Sequence, residues 1–210
     1  MTLNMCIIIG LLGSFFMFLG DMTLYYDRND YDSKDTINSV VAIMKKVSKP
    51  RLYLGGIMGP LGAFLYCLGL YHIILAFQTT HLTLAWILFL TNTLGLILGG
   101  TYHIQCAYLG LLSRHDNQGV FEEFLKFLKF QALIVFSIMA LGNLGLSLSI
   151  LLGFTVFPRW QALFTPLFLI LLTPLVGKLP KGLHMVIRGG WLNLIYFVYY
   201  LSLLILTTLC

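Results

Sequence analysis

Apolar residues in this chain come in long runs, and the polar residues collect between those runs. The pattern lacks both the two-residue alternation of a half-buried strand and the narrow stripe of a surface helix. A run of roughly 20 mostly apolar residues has the length of a helix that crosses a hydrocarbon layer. Six stretches qualify or nearly do: about 5–24, 52–77, 82–112, 130–157, 160–176 and 191–209. The fifth is the shortest and carries Pro166 and Pro174. The prediction is an all-α polytopic transmembrane helix bundle of six spans, one membrane domain over 1–210 with no soluble domain of any size.

Composition supports that pattern. Only 10% of the 210 residues are charged, against 59% hydrophobic, and the mean hydropathy is +0.89. A soluble domain carries about a quarter of its residues as charges. No Lys or Arg precedes Arg28 and no small-residue cleavage site follows the first run, so that run reads as a retained helix, not a secretory signal.

The charges set an orientation. The loop after the first span holds Arg28, Lys34, Lys45, Lys46, Lys49 and Arg51, and the loop after the third holds Arg114, Lys126 and Lys129. The loop after the fifth holds Lys178, Lys181 and Arg188, and only Arg159 falls in an even-numbered loop. The positive-inside rule then places the odd loops in the cytoplasm and both termini outside. The formal charge of +5 is accordingly a topological and lipid-facing signal. It points to no nucleic acid, because no basic face with interleaved aromatics lies off the membrane.

Two segments beside the spans are amphipathic. Residues 35–47 carry Ile37, Val40, Val41, Ile43 and Met44, then Lys45 and Lys46, with Pro50 marking a break. Residues 121–130 align Phe121, Phe124, Leu125 and Leu128 on one stripe, with Glu122 and Lys126 as an i,i+4 pair. Both suit an anionic inner leaflet, or are plain extensions of the spans that follow them. Small residues recur at packing spacing: Gly55 with Gly59, Gly95 with Gly99, and Gly145, Ser149 and Gly153. Such rows read as helix seams within one bundle.

Asp21 is the most informative polar residue, because an acid at the centre of a span costs about 2.5–3.5 kcal/mol, less near the interface. Ser14 lies two turns earlier on the same helical face. Topology brings Tyr102, His103, His184, Arg188 and Asn193 to the same inner layer. Asp21, His103 and His184 are the candidate catalytic acid–base groups, and metal ligation with a polarised water is the rarer use of such a set. Ser14, Tyr102, Arg188 and Asn193 are candidate substrate contacts, with Arg188 suited to a lipid phosphate. Mid-bundle Asn92 and Asn143 either line a polar cavity or hydrogen-bond between helices. His72 falls at the opposite end of its span, and His81 and His115 fall in loops. No Cys-x-x-Cys or His-x-x-x-His pair occurs, and the sequence points to no metal and no cofactor. Cys6 and Cys210 share the outer side, where an oxidising compartment would permit a disulfide.

Leu19-Gly20-Asp21, preceded by Gly10-Leu11-Leu12-Gly13-Ser14, resembles the Leu-Gly-Asp motif of lysoplasmalogenase-type membrane hydrolases. In the next span, Gly62-Ala63-Phe64-Leu65-Tyr66 through Tyr71-His72 is similar to that family's His-bearing helix. The resemblance implies hydrolysis of the vinyl-ether bond of lysoplasmalogens. As a whole the chain resembles the uncharacterised six-helix membrane families of bacteria and archaea.

Three functions remain open on these residues: a membrane-embedded hydrolase acting on a lipid or amphiphile, a small-molecule transport or ligand-binding protein with a midplane cavity, and a structural membrane subunit. Membrane lipids are the expected partners and the cell membrane is the expected location, multi-pass, as in a prokaryotic inner membrane. Orientation is directly testable. In a cysteine-free background, Lys46→Cys and Lys129→Cys should react with an impermeant maleimide only after cells are opened; labelling of intact cells would reverse the assignment.

Overall fold

The computed structural model describes residues 1–27, 36–115 and 117–209. Arg28, Lys34, Asp35 and Cys210 lie outside the described residues, and the Cys6–Cys210 pairing with them. Helix α1 spans Leu3–Tyr25, α2 Thr36–Lys46, α3 Lys49–Leu70 and α4 His72–Ala76, with α4 continuing α3 after Tyr71. Helices α5 (Leu82–Leu112) and α6 (Gln118–Leu151) form the next long pair. The short helices α7 (Pro166–Leu169), α8 (Thr173–Val176) and α9 (Lys181–Gly189) lead to α10, Trp191–Leu209. Five segments are long and apolar enough to cross a membrane: α1, α3 with α4, α5, α6 and α10.

Local chemistry sets several of these ends. Thr2 caps α1, its Oγ1 accepting from the Met5 N–H at 3.3 Å. Pro50 sits in the first turn of α3, where its missing N–H has no intrahelical partner to lose. Asn117 Oδ1 accepts from the Val120 N–H at 3.2 Å and starts α6. That helix runs unbroken for 34 residues, so 121–130 is its first part and not a separate interfacial helix. At 1.5 Å per residue α6 is about 50 Å long, more than a ~30 Å hydrocarbon layer can contain. Lys126 in this extension pairs with Glu123 at 3.0 Å, and Glu122 accepts from Gln118 instead.

The fifth apolar stretch is not one helix. It is a 3-10 turn (Arg159–Phe164), α7, a second 3-10 turn (Ile170–Leu172) and α8. Pro166 and Pro174 each open a short helical piece, and neither can donate into a preceding turn. The stretch nonetheless runs antiparallel to α10. Gln161 Nε2 donates to Ser202 Oγ (2.6 Å) near one end, and Trp191 Nε1 donates to Thr173 Oγ1 (2.9 Å) near the other. Thr165 meets Ser147 of α6 through their hydroxyls at 2.6 Å.

Packing is inverted relative to a soluble bundle. On α1 the exposed residues are Met5, Ile8, Leu12, Phe15 and Leu19, while Gly10, Gly13, Ser14, Gly20 and Asp21 are buried. The large apolar side chains face outward, the surface a bilayer solvates, and small residues let helix backbones meet. In the α1–α3 seam backbone meets backbone, with a Cβ on Gly69 falling 2.4 Å from the Gly10 Cα. The α3–α5 seam follows through Gly56, Gly59 and Gly100, and the α5–α6 seam through Gly95, Gly142 and Gly145.

Two arginines finish helix ends at the basic end of the bundle. Arg51 Nε donates to the Thr23 carbonyl (3.0 Å) and an Nη2 donates to that of Tyr26 (2.9 Å), covering the last carbonyls of α1. Arg114 likewise donates to the carbonyls of Met44 and Val47 at the end of α2. At the far end, Gln78 N donates to the Phe154 carbonyl (3.0 Å) and Val156 N to that of Ala76 (2.8 Å).

Glycine substitutions separate seam from surface. Gly69→Ala should lower the thermal midpoint of the detergent-solubilised protein by an amount equivalent to about 1–3 kcal/mol of overpacking. Gly182, whose Cβ would meet nothing within 4 Å, should tolerate Ala or gain up to ~1 kcal/mol from better helix propensity. Equal melting of both variants would refute the seam.

Candidate functional site

Near the basic end, four helices bring their polar residues into one chain of hydrogen bonds. Asp21 is on the last turns of α1, His103 on the inner half of α5 and Asn193 in the first turn of α10. His103 Nε2 lies 3.2 Å from Asp21 Oδ1, and Asn193 Nδ2 donates to Asp21 Oδ2 at 2.6 Å. Tyr66 of α3 donates its hydroxyl proton to Asn193 Oδ1 at 2.9 Å. Asp21 and His103 are 5% and 7% exposed, so their polar atoms must find partners within the protein. Such a pair can hold one proton between carboxylate and imidazole and exchange another with a neighbouring group.

Glycines make the room. A Cβ at Gly59 would fall 2.3 Å from the His103 Cβ, and one at Gly20 would lie 3.7 Å from His103 Nδ1. The Gly55–Gly59 row is thus a slot for an imidazole as well as a helix seam.

The pair opens on a cavity of about 300 Å³. Met17, Asp21 and Tyr25 of α1 form one wall, and Leu96, Gly99, Tyr102 and His103 of α5 form another. Val135, Phe136 and Met139 of α6 face them, with Val40 of α2 also contributing. Arg188, Gly189, Trp191, Leu192, Asn193 and Tyr196 complete the lining. Most of the wall is apolar, and its polar groups gather where α9 meets α10.

Asp21, His103, Tyr102, Arg188 and Asn193, all expected at one membrane layer, therefore share a single cavity. Two of their expected companions do not line it. His184 stands half-buried on α9, where partial burial and the neighbouring Arg188 hold its imidazole below the usual range, so it is uncharged at neutral pH. Ser14 donates to the Leu11 carbonyl at 2.7 Å and sits beside the Tyr66 hydroxyl, two links away from Asp21. The two asparagines expected to line a cavity are also outside this one. Asn92 donates to the Leu88 carbonyl (2.8 Å) and is pressed against Gly142, while Asn143 donates to the Met139 carbonyl and to Tyr196 Oη, both at 2.8 Å. Asn143 thus bonds across to α10, whereas the Asn92 bond stays within α5.

Sequence reasoning named Tyr102 but not Tyr66 or Tyr25 as site residues. Tyr66 lies on the same small-residue face of α3 as Gly55, Gly59 and Gly62, and that position was the available signal that its hydroxyl points inward. Tyr25 donates to Cys106 Sγ at 2.9 Å just below the cavity. His72 is remote: its ring nitrogens meet the Gly69 carbonyl (2.8 Å) and Tyr199 Oη (2.7 Å) at the far end. Among the described residues no three His, Cys, Asp or Glu converge as a metal-holding set.

Residues 1–209 match the model of a family described as a family of unknown function (DUF6796). Neither the search of curated proteins nor that of solved structures found a match. None of the three comparisons connects the chain to lysoplasmalogenase-type hydrolases.

The hydrogen-bond chain predicts unequal penalties. Tyr66→Phe removes one donor and should cost about 1 kcal/mol, whereas Asn193→Leu strands a buried carboxylate oxygen and should cost about 2–3 kcal/mol. The double variant should fall short of the sum, because both single changes act on one network. Additive losses in denaturation of the detergent-solubilised protein would show that Tyr66 and Asn193 act independently.

Proposed function

The chain belongs to this family of unknown function, and from the geometry of the cavity we propose that it is a multi-pass membrane enzyme hydrolysing an amphiphile, with Asp21 and His103 as the acid–base pair. The carrying observation is a buried carboxylate–imidazole contact on the wall of an otherwise apolar cavity. A pair of this kind costs free energy to keep away from water, and functional sites are where such arrangements concentrate.

In this reading the chain crosses the membrane six times with both termini outside. The broken stretch 159–176 is the fifth crossing. It is supported by the course of the chain, since residues 154–156 join the far end of the bundle and Trp191 the basic end. The basic end then faces the cytoplasm, and the cavity lies at the level of the inner leaflet.

The chemistry follows from where the proton can go. A water in the cavity adds to the electrophilic atom of the substrate while its proton passes to the Asp21 carboxylate. The same proton returns to the departing oxygen as that bond breaks, so water is split between the two products. His103 at Oδ1 and Asn193 at Oδ2 hold the carboxylate in position, each oxygen keeping a further lone pair for the incoming proton. The cavity supports a second reading, in which the protein binds and carries an amphiphile without cleaving it.

Heavy-oxygen water separates the two. Purified protein incubated with a membrane lipid extract in that water should yield labelled products by mass spectrometry. Asp21→Asn, which keeps the side chain's shape, should fold normally and reduce labelling by about 10²–10⁴-fold. Undiminished labelling in Asp21→Asn would end the acid–base role, and unlabelled but protein-bound lipid in the wild type would favour carriage.

A further inference from the structure

Phe136 lines the cavity and is also 50% exposed on the outer surface of α6. The cavity therefore opens sideways, toward the surroundings of the bundle, as well as lying beneath α9. The opening falls between α6 and α10. These two helices meet directly through Asn143 and Tyr196, and residues 159–169 pack against both of them toward the far end, whereas α5 packs along α6 and α1 packs along α10. A solute arriving this way comes from the acyl-chain layer, already oriented with its head toward the basic end.

Size and charge narrow what that solute is. About 300 Å³ lies at the small end of ligand sites. A site of that size suits one acyl chain better than two. Val135, Met139 and Leu96 offer that chain an apolar wall. At the polar end stands Arg188, whose planar fork of donors matches phosphate oxygens. Lys45, Lys46 and Lys178 lie in or beside the odd-numbered loops and favour anions at the basic end. Asp21 does not contradict this, because each of its oxygens already has a partner, His103 or Asn193.

We propose that the cavity takes a single-chain amphiphile with a phosphate headgroup, which enters past Phe136 between α6 and α10 and sets its phosphate on Arg188. The proposal deepens the amphiphile reading above and requires no turnover. Binding alone therefore tests it, and a loss of turnover would leave the binding result standing.

The probe is dodecyl phosphate, added to the full-length protein in an uncharged detergent and read by native mass spectrometry. Dodecanol and inorganic phosphate form separate arms. One dodecyl phosphate should be retained per chain, at least about tenfold more tightly than dodecanol, and Arg188→Gln should erase most of that preference. Val135→Trp, which fills the cavity from α6, should block binding while the protein still melts cooperatively. Dodecanol binding as tightly as dodecyl phosphate would overturn the headgroup assignment. Inorganic phosphate competing on equal terms would make this a free-phosphate site and overturn the amphiphile. Unchanged binding in Val135→Trp would remove the cavity from the account, even if Arg188→Gln failed to fold.

Discussion

Backbone meets backbone where Gly10 of α1 crosses Gly69 of α3, and a methyl group on Gly69 would intrude to 2.4 Å from the Gly10 Cα. In surroundings as apolar as the helices themselves, no hydrophobic force drives such a crossing. Close van der Waals contact and a few interhelical hydrogen bonds must do it. The contact fixes the distance between α1 and α3 along their shared length. Gly13 then lies against Leu65, Gly20 against Met58 and Gly55 against Leu24. The glycine slot on α3 that accepts His103 is placed relative to Asp21 by the same seam.

Polar atoms then fix the register that small residues leave loose. Four helices contribute one link each to the chain His103, Asp21, Asn193 and Tyr66. Sliding any of them by one turn would separate a buried carboxylate from a donor, a loss too large for packing contacts to offset. The far end has its own link of this kind in His72 and Tyr199, set among Tyr66, Tyr196 and Tyr200. Between them the two links align α10 against α3 over much of its length.

The five long helices were legible because uninterrupted apolar length is the strongest signal a sequence carries, but the fourth expected stretch, 130–157, differs from α6, which starts twelve residues earlier and ends at Leu151. The fifth stretch was legible as apolar but not as broken, because two prolines can kink a helix or divide it. Which of these happens depends on partners such as Ser202 and Ser147 far along the chain. Residues 121–130 read equally as an interfacial helix or as an extension, and the absence of any breaker between Gln118 and Leu151 decided for one continuous helix. At the site, depth was readable from charge and span order, which is why Asp21, His103, Arg188 and Asn193 could be named together. Lateral position was not readable. Ser14 shares the face of Asp21 but lies two turns up beside Tyr66, and His184 does not line the cavity although its neighbour Arg188 does. Tyr66 went unnoticed because a tyrosine in an apolar run is unremarkable until the glycines around it are seen as one inward face.

The guanidinium groups of Arg51 and Arg114 are already spoken for by the exposed carbonyls that close α1 and α2. Cations at this end of the molecule thus have two employments, and only some remain to meet lipid headgroups. Counting basic residues marks which end of the chain is basic but overstates its attraction for an anionic leaflet. Conversely, neutralising either arginine would fray a helix terminus before it disturbed orientation, so the damage would first register as a loosened bundle with its direction unchanged.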